Sequence, residues 1–147
     1  GTNTGTGPTG TARLINVSVR TFVGTGDNIL AVGFGLTGAG SKSLVIRGVG
    51  PTLAAFGVTG VLGNPVLGLY DGASLFMTSN TGWGGGATLA TAFSSVGAFA
   101  LPANSADSAL VQTLSSGATY SIIINGANST TGVALAEVYD ADPGTRV

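Results

Sequence analysis

Leu30-Ala31-Val32-Gly33-Phe34-Gly35-Leu36 alternates a large apolar residue with a small one at every step. A period of two puts Leu30, Val32, Phe34 and Leu36 on one face of an extended strand and leaves Ala31, Gly33 and Gly35 on the other. Upstream, residues 12–23 keep the same period, with Ile15, Val17, Val19 and Val23 on one face and Asn16, Ser18 and Arg20 on the other. Gly24-Thr25-Gly26-Asp27-Asn28 between them has turn composition, so the two segments read as a hairpin. Downstream, in Lys42 to Arg47, Leu44 and Ile46 face one way and Val45 and Arg47 the other. Short strands over 66–70 and 74–78 flank an Asp71-Gly72 hairpin turn, and three more run over 109–114, 119–125 and 132–139.

Helical signals are few. Pro51 opens a single turn that Gly57 closes, and Leu89, Ala92, Phe93 and Val96 mark an amphipathic helix over 88–96. Together these predict an all-β domain over residues 12–140, an antiparallel β-sandwich or jelly-roll-like fold of about eight or nine strands with one or two short helices. A Gly/Thr-rich arm, residues 1–11, precedes it, and an exit segment, 141–147, follows. In the arm, Thr2, Thr4 and Thr6, then Thr9 and Thr11, recur at alternate positions. That spacing suits either a flexible linker or a donor strand that orders on docking to a neighbour's sheet.

Four segments resemble an all-β repeat domain found in tandem in large secreted and cell-surface proteins of environmental bacteria. They are Ala12-Arg13-Leu14-Ile15-Asn16-Val17-Ser18, Leu44-Val45-Ile46-Arg47-Gly48-Val49-Gly50-Pro51-Thr52-Leu53 with Phe56-Gly57-Val58, Val96-Gly97-Ala98-Phe99, and Thr131-Gly132-Val133-Ala134-Leu135-Ala136-Glu137-Val138-Tyr139-Asp140. The resemblance covers residues 11–142. It implies an extracellular or cell-surface location and a bacterial source, with no catalytic activity assigned. Where that family has an acidic Asn-Asp-Asn-Trp stretch, this chain has Asn80-Thr81-Gly82-Trp83, so cation binding does not carry over to that loop. Gly144-Thr145-Arg146-Val147 echoes Thr11-Ala12-Arg13-Leu14, as though the unit continued head to tail, and a chain that begins at Gly1 reads as a mature or trimmed form.

Composition narrows the function further. Five basic and six acidic residues make up 7% of the 147, where about 25% is usual. So little charge leaves interface-sized patches nearly uncharged, which favours association with copies of the same chain. A net charge of −1 without a basic cluster argues against nucleic acid, and no apolar run is long enough for membrane insertion. Without Cys or His there is no disulfide, no thiolate metal site and no imidazole base. Gly33-Phe34-Gly35-Leu36-Thr37-Gly38 matches a dinucleotide loop but lies between strands instead of opening a helix, so no cofactor is expected.

The candidates for paired-carboxylate catalysis are Asp27, Asp71, Asp107, Glu137, Asp140 and Asp142; of these Asp27 and Asp71 read as turn formers, and Asp140 with Asp142 reads as solvated exit residues or a calcium site. Arg47 and Glu137 each sit on an otherwise apolar strand face. Either they pair across the sheets as a structural ion pair or both point outward at strand ends. Trp83 could be a sugar platform, a subunit anchor, or a loop residue folded onto its own domain. The function expected is a non-enzymatic structural subunit of a self-assembling filament or sheath, built head to tail by strand addition. The alternative is a carbohydrate-binding or adhesive module that contacts polysaccharide through Trp83 with Tyr70 or Tyr120.

Overall fold

A computed structural model describes residues 17–141. Eight strands form two four-stranded antiparallel sheets: β1 (Val17–Val23), β2 (Leu30–Leu36), β3 (Ser41–Val49), β4 (Pro65–Asp71), β5 (Phe76–Thr81), β6 (Ser108–Ser115), β7 (Ala118–Gly126) and β8 (Gly132–Asp140). One sheet is ordered β1-β8-β3-β6 and the other β2-β7-β4-β5. The pairs β1/β8, β2/β7, β3/β6 and β4/β5 are those of one long hairpin ribbon rolled onto itself, which is the jelly-roll arrangement.

Five of the strands match the expected segments closely, and β5 lies two to three residues later than expected. The β4–β5 hairpin forms because Asp71 Oδ1 accepts from the backbone N–H of Ala73 and Leu75 and closes the turn locally. The hairpin expected of β1 and β2 does not form. Consecutive in sequence, they lie in opposite sheets, β1 against β8 and β2 against β7. A glycine-rich turn reports a chain reversal but not whether the return strand pairs with its predecessor or crosses the sandwich.

The sandwich interior takes one face of β2 (Leu30, Val32, Phe34 and Leu36), β3 (Leu44 and Ile46), β4 (Leu67 and Leu69), β7 (Ile122 and Ile124) and β8 (Ala134, Ala136 and Val138), with Val23 of β1 and Leu114 of β6. A second core lies outside the first sheet. There Val45 and Val49 of β3, with Ala109 of β6, are covered by Leu53, Trp83, Phe93 and Leu101. This covering layer consists of a 3-10 helix (Pro51–Phe56), the helix α1 (Ala87–Ser95) and the loops around them. Both are near their expected positions. Gly57, at φ 84°, ends the 3-10 helix in the left-handed conformation glycine adopts freely.

The covering layer is joined to the sandwich by close backbone contact. A Cβ on Gly50 would lie 2.0 Å from the carbonyl oxygen of Leu62, whereas one on Gly63 would meet nothing within 4 Å. Gly50→Ala is therefore expected to lose about 2–3 kcal/mol of stability in urea unfolding. Gly63→Ala, the control, should stay within about 0.5 kcal/mol of the parent.

Candidate functional site

Of eight charged residues between 17 and 141, five are buried: Lys42, Arg47, Asp107, Glu137 and Asp140. Desolvated charge is tolerated only when paired or well hydrogen-bonded: Lys42 pairs with Asp140 and Arg47 with Glu137, while Asp107 is held by hydrogen bonds from neutral donors. Arg47 and Glu137 occupy paired positions on β3 and β8. They pair as neighbours within one sheet, not across the two sheets, on its outer face beneath the covering layer. Both strands keep a period of two, so Arg47 and Glu137 had to share that face once β3 and β8 became neighbours.

The Arg47 guanidinium is wholly enclosed. Its Nε donates to Glu137 Oε1 at 2.8 Å and its Nη1 to the Phe99 carbonyl at 2.7 Å. Nη2 also lies 2.7 Å from Oε1, as a charge contact without hydrogen-bond alignment. The cation stacks 4.8 Å from the Phe93 ring centre and 4.5 Å from that of Phe99, an arrangement that adds cation–π attraction in a dry site. Tyr139 Oη donates to the other Glu137 oxygen. Burial and this hydrogen bond push the Tyr139 phenol well above its ordinary value, so it keeps the proton it donates.

Asp107 performs a different task. Its Oδ1 accepts from the backbone N–H of Gly50 at 2.7 Å and of Thr52 at 3.3 Å, and its Oδ2 accepts from Thr52 Oγ1. A carboxylate from far along the chain thus caps the 3-10 helix whose own N-cap, Gly50, offers no side chain. The Asp107 carbonyl accepts from Trp83 N, which fastens the loop before α1 as well. Nothing local in the sequence announces this role, because the two ends are 57 residues apart. Asp140 is not a solvated exit residue: it is buried and lies 3.1 Å from Lys42 Nζ.

Trp83 is only 5% exposed. It packs against Phe93, and its Nε1 donates to the Pro102 carbonyl and Ser105 Oγ. The expectation of Trp83 as a subunit or ligand anchor is corrected accordingly: a large ring beside a helix with an apolar stripe is most stable inside the second core. Tyr120 is likewise buried, stacked on Phe34, with its hydroxyl on the Ser115 carbonyl. The arm residues Thr2, Thr4, Thr6, Thr9 and Thr11 lie outside the described residues.

What remains at the surface is nearly free of charge. Among the described residues only Arg20, Asp27 and Asp71 carry charge that is not buried. The sheet edges are β1, β6, β2 and β5, and in all four Arg20 is the one charged residue and proline is absent. Edges are normally guarded by charge, proline or cover, because their unpaired N–H and C=O groups template further pairing. Apolar side chains also stand open on them: Val19 and Phe22 on β1, Phe76 and Met77 on β5, and Val111 on β6. Among the described residues no cluster of acidic, His or Cys side chains fit to hold a metal occurs. No known protein-family model matches the chain, and no curated protein does.

Removing one member of the enclosed pair tests its role. Arg47→Met should lose about 3–5 kcal/mol and red-shift Trp83 fluorescence, because Glu137 is left buried without a counter-charge. Arg47→Met combined with Glu137→Leu should recover most of that loss in urea unfolding. Strictly additive losses would show that the two residues are not coupled.

Proposed function

We propose that the chain is a non-enzymatic structural subunit of an extracellular or cell-surface filament or sheath, assembled from copies of itself by strand addition at its sheet edges. The observation that carries this reading is the distribution of charge. Five of the eight charges in residues 17–141 are buried, and the four edge strands keep one between them. A surface so poor in ions gives little colloidal repulsion, and an edge without charge or proline offers main-chain hydrogen bonds to another strand. Such bonds join subunits without needing charged side chains.

Location follows the sequence resemblance to bacterial surface repeats. The carbohydrate-binding alternative loses two of its three aromatic contacts, since Trp83 and Tyr120 are enclosed and Tyr70, half-buried, lies over Gly68. The donor strand in this reading is the arm, with Thr2, Thr4 and Thr6 on one face of it. Deleting residues 2–11 should yield a folded monomer where the full chain gives fibres in negative-stain microscopy. Fibres that persist without the arm would show that it is not the donor.

A further inference from the structure

The proposed assembly leaves open which edge receives the arm, and the strand directions decide it. Val17 pairs with Val138, two residues before β8 ends, so β1 begins and β8 finishes at the same end of the sandwich. The short turns over 37–40, 72–75 and 116–117 share that end, and the longer loops over 24–29, 50–64, 82–107 and 127–131 form the other. Odd-numbered strands therefore run from the terminal end to the loop end, and even-numbered strands run back.

An arm continuing the line of β1 leaves at the terminal end. In a head-to-tail stack it meets the loop end of the next copy and lies along that copy in the direction of its odd-numbered strands. It is then antiparallel to the edges β2 and β6 and parallel to β1 and β5. Antiparallel pairing is the more stable and the commoner. Of the two antiparallel edges, β6 is tied at its start, where Ala109 N donates to Asn80 Oδ1 and Ser108 Oγ accepts from Gly82 N and donates to the Pro65 carbonyl. Among the described residues, the free edge of β2 has no strand against it.

Beside that edge the inward face of β1 is incompletely covered. Val17, Val19, Thr21 and Val23 share the inward face of β1; Val23 is buried and Val17 packs against the main core. Between them Val19 is 38% exposed and Thr21 is exposed, so β2 leaves the middle of this face uncovered. Sheets pack about 10 Å apart and strands about 4.8 Å, so a strand added to β2 would lie over Val19 and Thr21. Residues 1–11 extend to about 36 Å, against about 23 Å for the seven residues of β2. Residues 12–16 remain to bridge the copies. Residues 1–11 have no charged side chain to bury against Val19 and Thr21; Pro8, which cannot donate, would have to point its nitrogen away from β2.

We infer that the arm of one copy, residues 1–11, adds antiparallel to the free edge of β2 of the next and covers Val19 and Thr21. This rests on the assembly reading above. The test compares hydrogen exchange in the polymer of the full chain with that in the arm-deleted monomer, alongside Thr21→Asp and Met77→Asp variants of the full chain. The expected result is new protection over Leu30–Leu36, with Thr21→Asp raising the concentration needed for polymer about tenfold or more while Met77→Asp leaves it unchanged. Polymer protected at β5 or β6 instead, and indifferent to Thr21→Asp, overturns the choice of β2 while the assembly reading stands. A full chain that stays monomeric at every concentration overturns both.

Discussion

The ion pair of Arg47 with Glu137 is the constraint around which the rest of the molecule is arranged. A guanidinium with no access to water must find its counter-charge and its hydrogen-bond acceptors inside the protein. It finds the carboxylate on the adjacent strand, a carbonyl in the covering layer and two aromatic rings from that layer. The site therefore spans two parts of the structure, since both members of the pair belong to the sheet and the groups that seal it belong to the layer above. Asp107 repeats the device at the other side of that layer, holding the start of the 3-10 helix and the loop of Trp83 together. A two-sheet sandwich becomes a three-layer body because charge has been placed where only a third layer can satisfy it.

That use of charge determines the surface. In an ordinary domain the ionic residues keep copies apart, and a few of them guard the sheet edges. Here the few available are committed inward, and the edges present main chain, small side chains and scattered apolar ones. The proposed assembly by strand addition rests on the same arrangement that stabilises the monomer.

Much of this was legible in the sequence, and the parts that were not share a cause. Period-two alternation found the strands, and it put Arg47 and Glu137 on otherwise apolar faces, because a strand face is a local property. Which strands are neighbours is not local, so β1 and β2 were joined as a hairpin although they lie in opposite sheets. The same gap had Arg47 and Glu137 pairing across sheets. For Trp83 the sequence left open an exposed anchor or a ring folded onto its own domain, because its glycine-rich loop does not show what covers it, whereas in the fold α1 encloses it. Asp107 and Asp140 could not be told from surface carboxylates, since their partners Gly50, Thr52 and Lys42 are distant in sequence.

Sedimentation velocity of the full chain as salt is raised from about 0.01 M to about 1 M reads the central claim directly, because contacts between charged surfaces weaken over that range and main-chain or apolar contacts do not. If charge has been withdrawn into the fold and copies join through strand edges, large species should be present throughout and no fewer at high salt. Particles that dissociate to monomers as salt rises, or a monomer under all conditions, would contradict the account.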